Sequence, residues 1–251
     1  MSLNVLSLFS GIGGLELGLE RAGMTTVGQV ELDDYCRSVL AHHWPEVPRH
    51  DDVRTAPEWW ARESRPRVDL VCGGFPCQPF SQAGLQQGIA DERWGWPWTA
   101  DVIRTVRPSY VVLENVAALV RDADAFGWVL GDLAELGFDA EWTVLLASDV
   151  GAPHKRERLV VVAYPAVSDG SDQDEPATPR PFELEPRGSS GEPWGPSWLP
   201  EPAVDRVAHG VPRALVHDPL HALGNAVVPQ LAEHVGRLIV SHHQQSLEAA
   251  A

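Results

Sequence analysis

Short apolar runs alternate with amphipathic stretches along most of the chain. "NVLSLF" (Asn4 to Phe9) reads as a buried strand that runs into the glycine-rich turn "SGIGG". "LELGLERAG" then sets Leu15, Leu19 and Ala22 on one helical face, with Gly23 as a stop. "TTVGQVE" predicts a second strand ending at Glu31, and "DDYCRSVLAHHW" a helix capped by Asp33 or Asp34. "VDLVCGG" is a third strand, "PWTADVIRTV" a helix, "SYVVLENV" a buried strand and "ADAFGWVLGDLAELG" a helix despite its glycines. "AEWTVLLA" and "ERLVVVAY" close the series as strands. Strands alternating with helices at this spacing predict an α/β fold with a doubly wound, Rossmann-like sheet. Ligands of such sheets bind outside the carboxyl ends of the strands. Three chemistry-bearing segments, 10–14, 73–81 and 114–116, directly follow strands.

The pattern changes after Tyr164. Residues 165–212 hold 10 of the 21 prolines and little apolar periodicity, and "SDGSDQDEPATPRP" reads as a surface loop or a disordered segment. Periodicity returns in "LHALGNAVVPQLAEHVGRLIV", where Leu231, Val235, Leu238 and Ile239 share a helical face. The chain therefore divides into a main domain over 1–164, a short, partly flexible segment over 165–215, and a C-terminal helix over 216–251 that returns to the main domain.

Composition adds limits. The 251 residues are 44% hydrophobic and 22% charged, enough for one large domain or one domain with a small lobe. No apolar run approaches the ~18 residues of a membrane helix, and "MSLNVLSLF" lacks the basic flank of a signal peptide. Cys36, Cys72 and Cys77 form no disulfide framework, which fits a reducing, cytoplasmic setting. The net charge of −16 speaks against a nucleic-acid partner held by a general positive field. It divides as −9 over 1–164 (23 acidic, 14 basic), −5 over 165–215 (9 and 4) and −2 over 216–251 (3 and 1). Any such contact must come from local arginine clusters.

Five segments carry candidate chemistry. "LFSGIGGLELGL" joins a strand to a helix through glycines that admit a ligand to the backbone, as a nucleotide-like cofactor loop or a plain tight turn. Glu31 stands where an acid would bind ribose hydroxyls, and Asp51 or Asp52 could serve an adenine amino group or cap a loop. In "DLVCGGFPCQPFSQAG" a proline-stiffened turn holds Cys77, a nucleophile or a buried thiol; Cys36 and Cys72 read as structural. The Cys72 and Cys77 spacing does not make a metal site. His42, His43, His242 and His243 read as surface helix positions. In "VVLENVAAL" Glu114 follows four apolar residues, where a carboxyl can have a raised pKa and act as an acid, or simply cap a helix. "PHKRERL" clusters Lys155, Arg156 and Arg158, able to hold carbonyl or phosphate oxygens.

In this order the segments resemble the DNA (cytosine-5) methyltransferases, over about residues 4–164 and 220–240. "FSGIGG" is similar to the family's cofactor loop, "GGFPCQPFS" to its catalytic loop, "ENV" to its acid motif, "KRERL" to its paired-arginine motif and "GNAV" to the motif that completes the cofactor pocket. The resemblance implies S-adenosyl-L-methionine as cofactor, double-stranded DNA as partner, no metal, and a monomer. It implies that Cys77 attacks C6 of a flipped cytosine, that Glu114 contacts N3 and the exocyclic amine, and that Arg158, with Arg156 nearby, holds the base or its phosphates and favours the thiolate. For the cofactor it implies Phe9 against the adenine, Ser10, Gly11, Ile12, Gly13 and Gly14 around the methionine part, Glu31 at the ribose and Asp52 at the adenine amine. Leu32, Val53, Pro76, Asn225 and Ala226 complete that set, with Trp96 as apolar cover. Leu32 stands where many members of the family have tryptophan. Gln78, Ser81, Asn115, Arg206 and Arg213 are implied substrate contacts.

Two departures stand out. His154 follows Pro153 where the family has glutamine. The segment between "ERLVVVAY" and "GNAV", where the family carries its target-recognition domain, is only about 50 residues of acidic, proline-rich sequence. Trp194, Trp198, Arg206, His209 and Arg213 are its available readers of base edges. The same chemistry on RNA, or a non-catalytic DNA-binding relative, are the alternatives. A non-catalytic relative would be expected to lose Cys77, Glu114 or Arg158, and all three are present.

Overall fold

The apolar run at the start of the chain becomes a central strand. In a computed structural model, which describes residues 2–77, 94–152, 155–166, 182, 222–223 and 225–249, β1 (Asn4–Leu8) lies between β2 (Thr25–Val30) and β4 (Leu70–Gly73). The sheet continues through β3 (Arg49–His50) beyond β2, and through β5 (Tyr110–Val116), β7 (Glu157–Pro165) and β6 (Phe138–Leu146) beyond β4. Strands β1 to β5 are parallel, while β7 runs antiparallel to both β5 and β6. This direction matters for the site. The parallel strands end at one edge of the sheet, and an antiparallel β7 begins at that same edge, so Arg158 pairs in register with Val116.

The helices are α1 (Gly14–Arg21), α2 (Asp34–His43), α3 (Ala56–Ala61), α4 (Trp96–Val106), α5 (Ala123–Glu135) and α6 (Pro229–Ala249). Asp33 caps α2 by accepting from the Cys36 amide at 2.8 Å, and Asp122 caps α5 by accepting from Ala125 at 3.0 Å. One face of the sheet packs Leu6, Leu8, Val71 and Val111 against Trp60, Ile103 and Val129 of α3, α4 and α5. The other packs Val5, Leu70 and Val112 against Leu15 and Leu19 of α1 and Leu231, Val235 and Ile239 of α6. The C-terminal helix thus lies against the first helix.

Several expectations need correction. The two-residue β3 and the short α3 were not predicted: too few residues carry their period. His242 is not a surface position, since its Nδ1 lies 3.0 Å from the Tyr110 hydroxyl and its ring packs on Phe182. Phe182 is itself buried, and its amide donates to Glu141 Oε1 at 3.2 Å. Most of the 165–215 segment lies outside the described residues. Among the described residues no helix is long and apolar enough to cross a membrane, and no cluster of three or more His, Cys, Asp or Glu side chains is placed to hold a metal.

Candidate active site

The turn after β1 is wound by left-handed backbone. Phe9, Gly11 and Gly13 have φ of 52°, 55° and 88°, so alternate residues turn the chain back on itself. For Phe9 this is a strained conformation, of the kind that collects at functional sites. Hydrogen bonds fix the loop: the Ser10 amide donates to the Val30 carbonyl at 3.1 Å and the Gly13 amide to the Ser10 carbonyl at 3.0 Å. Glu31, at the end of β2, accepts from the Gly11 amide at 2.7 Å through Oε2 and from the Asp33 amide at 2.8 Å through Oε1. The structure therefore brings Glu31 and the glycine loop together. Leu32 projects into solvent, 71% exposed. Asp52 caps a 3₁₀ turn that begins at the buried Val53, and Arg54 grips its carboxylate, Nη2 to Oδ2 at 2.6 Å. That guanidinium holds the Asp52 carboxyl below its usual pKa.

Beside α1 lies a cavity of about 750 Å³, lined by Ile12, Gly13, Gly14 and Leu17 on one side and Arg156, Ala226 and Val227 on the other. Asn225 is exposed.

The segment after β4 threads a narrow passage. A Cβ on Gly74 would stand 2.9 Å from Glu114 Oε2. Asn115 Nδ2 donates to the Phe75 carbonyl at 2.9 Å, and the Gly95 amide donates to the Pro76 carbonyl at 3.0 Å. Cys77 forms an antiparallel bridge with Trp94, and both are buried. Trp94 and Gly95 are supports that the sequence did not single out. Trp96 is not a cover over a cofactor: it is fully buried, packs on Phe75, and its Nε1 donates to Asp132 at 2.6 Å.

Glu114 and Arg158 form a buried ion pair, Oε1 to Nε at 2.6 Å. Burial nonetheless pushes the Glu114 carboxyl above its ordinary pKa, and Arg158 and Arg156 offset only part of this. Cys77 also titrates above its usual value. Burial is the main cause, the nearby Val116 amide and Arg158 act the other way, and Glu114 adds to the rise. Local positive charge therefore favours the thiolate in sign, through Arg158, but burial outweighs it and Glu114 opposes it. Arg156 also differs from expectation: its Nη2 donates to the Ala226 carbonyl at 2.8 Å and ties the start of β7 to the segment before α6.

Cys77, Glu114, Asn115 and Arg158 are thus brought together at the strand ends. Cys36 and Cys72 are buried and free, the former pushed up to about 12 and the latter also raised by burial. Gln78, Ser81, Pro153, His154, Trp194, Trp198, Arg206, His209 and Arg213 lie outside the described residues.

Comparison with known proteins gives a consistent family. The sequence model described as C-5 cytosine-specific DNA methylase matches residues 3–184. The chain is 35% identical over 168 residues to Type II methyltransferase M2.BsuMI of Bacillus subtilis (strain 168), covering 64% of this chain and 42% of that protein. It is 38% identical over 162 residues to Type II methyltransferase M.NgoBI of Neisseria gonorrhoeae, covering 63% and 50%. The chain spans about half the length of these curated relatives. Among solved structures, a mutant of Spodoptera frugiperda DNMT2 superposes with a TM-score of 0.57 at 23% identity, over 82% of this chain and 61% of that one, a likeness of fold.

Proposed function

Because the chain belongs to the C-5 cytosine-specific DNA methylase family, we propose that it transfers a methyl group from S-adenosyl-L-methionine to C5 of cytosine in double-stranded DNA. The reaction passes through a covalent bond between Cys77 and C6 of a flipped-out base. One observation carries this reading: Cys77 meets the Glu114–Arg158 pair at the sheet edge where the glycine loop also lies.

The residues present fit the cofactor. The fit rests on the side of the glycine loop that faces Phe9 and Glu31, since the cavity of about 750 Å³ beside α1 is lined by Ile12, Gly13 and Gly14 but not by Phe9, Glu31, Asp52 or Val53. Glu31 has acceptor sites left after its two amide donors, since a carboxylate offers about four. Glu31 would hold the ribose hydroxyls, Phe9 and Val53 would flank the adenine, and the loop over Ser10 to Gly14 would cradle the amino-acid end. Asp52 would have to share its carboxylate between the adenine amine and Arg54. When bound, S-adenosyl-L-methionine supplies an electrophilic methyl group to C5.

The chain's own residues do the rest. Cys77 adds to C6 as the thiolate, so its proton must leave first. Glu114, whose affinity for a proton is raised by burial, takes one up as the base enters and donates it to N3 of the cytosine, and the electron pair of the C5–C6 double bond gathers at C5. Arg158 keeps the Glu114 carboxyl aimed and offers positive charge to the base. Once C5 carries the methyl group, its C5 proton passes to water, the C5–H electron pair re-forms the C5–C6 double bond and expels the Cys77 sulfur as thiolate, and N3 returns its proton to Glu114. Extracting the base from the duplex costs a few kcal/mol, which contacts in the pocket offset. The named relatives are Type II methyltransferases, which supports a role as the modification enzyme of a restriction system.

The test is transfer of labelled methyl from S-adenosyl-L-methionine to unmethylated duplex DNA, with Cys77→Ser alongside and the product sequenced. Label at cytosine C5 that vanishes in Cys77→Ser is the expected result. Transfer that survives the substitution, or label found on RNA and not on DNA, would overturn the reading.

A further inference from the structure

Glu16 has no exposed surface, although it stands in the first turn of α1, directly behind the glycine loop. The face of the sheet it overlies is polar at this point. Ser7 of β1 is in register with Gln29 of β2 and Cys72 of β4, and all three are fully buried. Neither carboxyl oxygen of Glu16 closes a hydrogen bond with a described residue, and neither does Nε2 of Gln29. The polar groups that bear on Glu16 are its own backbone amide and the hydroxyls of Ser7 and Ser10. The Ser10 hydroxyl is already committed, donating to Ser7 Oγ at 3.1 Å. Ser10 is also the first residue of the loop held to β2, through its amide and the Val30 carbonyl.

Among the described residues no cation bears on this carboxyl. The titratable groups that bear on it are Glu20, one turn further along α1, and Cys72 on β4. Where α6 approaches the same helix, it does so through the backbone near Pro229 and Glu233 and the methyl of Ala232. Burial accordingly pushes Glu16 up to about 7, and its own backbone amide and the two hydroxyls offset this only in part. A neutral carboxyl both donates and accepts, which suits two hydroxyls that do the same. An ionised one only accepts. It would compete with Ser7 for the Ser10 proton and leave an unpaired charge in the core.

We propose that Glu16 is a positioning residue for the glycine loop that acts in its uncharged form, so that cofactor affinity falls as this carboxyl ionises. The inference rests on the cofactor reading given above. It is tested by calorimetric titration of the whole protein with S-adenosyl-L-homocysteine from pH 5.5 to 8.5, for the wild type and Glu16→Gln. This probe lacks the sulfonium charge, so attraction between that cation and an ionised Glu16 does not enter. Wild-type affinity should fall about tenfold across neutrality, the effect of a one-unit difference in carboxyl pKa between free and bound protein. Glu16→Gln, uncharged throughout, should hold the low-pH affinity of the wild type over the whole range. Thermal melts supply a readout independent of the cofactor. The folded pKa is raised, so the stability Glu16 contributes is present at low pH and is lost as pH rises from about 4.5 to about 7. The wild-type melting temperature should drop over that window more than that of Glu16→Gln. A wild-type affinity that stays flat overturns the inference without reference to any variant, as do equal slopes for the two proteins. Absence of binding at every pH would instead remove the cofactor reading, and this inference with it.

Discussion

Gly74 and Glu114 test the site at its narrowest point. A methyl group on residue 74 would come within 2.9 Å of Glu114 Oε2, and Glu114 has little freedom to retreat because Arg158 holds Oε1 at 2.6 Å in a buried position. Gly74→Ala should therefore turn the carboxyl away from Cys77 rather than loosen the fold. The expected outcome is a single-turnover rate lowered about tenfold to a hundredfold, with a melting temperature within about 4 °C of wild type, the effect of roughly 1 kcal/mol in a chain of this size. An unchanged rate would mean that the placement of Glu114 is not rate-determining. Residues such as Cys77, Glu114 and Arg158 were legible in the sequence because turn chemistry and strand ends mark them. Their ionisation was not. Which charges cancel depends on the pairing of β5 with β7, and only the fold shows that Arg158 is spent on Glu114. Glu16 was hidden for a related reason: between Leu15 and Leu17 it looks like a position on the polar side of an amphipathic helix, and its burial follows from how deeply α1 sinks between the sheet and α6.

That depth is set at the scale of the helix pair. Gly18 of α1 meets the Pro229 carbonyl oxygen and the Ala232 methyl where a side chain would stand, and Gly236 of α6 meets Ala22 in the same way. Gly18→Ala should force the helices apart at a cost of about 1–3 kcal/mol, typical of overpacking. Gly131 in α5 is the matched control. It is exposed, a Cβ there touches nothing within 4 Å, and Gly131→Ala should stabilise by about 0.5–1 kcal/mol through the usual helix preference for alanine. Denaturant unfolding of the two variants should give changes of opposite sign; a loss in both would mean that helix propensity and interhelix space are not what distinguishes them. The elements themselves were largely legible, because each long strand is an apolar run between turn signals. What the pattern does not carry is direction. Glu157–Pro165 reads equally well as parallel or antiparallel, and the choice is made by chain connectivity, since the ten residues between β6 and β7 hold, among those described, a 3₁₀ turn but no α-helix to cross over.

For the whole molecule, charge poses the remaining question. A protein of net charge −16 must approach a polyanion, and the cationic cluster that opens β7 offers less than its composition suggests. Arg158 is paired with Glu114 and Arg156 donates to the Ala226 carbonyl, which leaves Lys155 exposed. Binding to duplex DNA releases counterions in proportion to the phosphates neutralised, with a slope of about −0.9 in log affinity against log salt for each one. If the cluster that opens β7 alone supplies the contact, few phosphates are neutralised, and the slope should be no steeper than about −3. Fluorescence anisotropy of a labelled duplex between 25 and 200 mM salt measures it. A shallow slope would place most of the discrimination in the flipped-base pocket and in contacts to base edges, where net charge counts for little. A slope of about −6 or steeper would require cations beyond that cluster, and its loss on substituting Arg206 and Arg213 would assign phosphate binding to the segment that holds them, despite its 9 acidic residues against 4 basic.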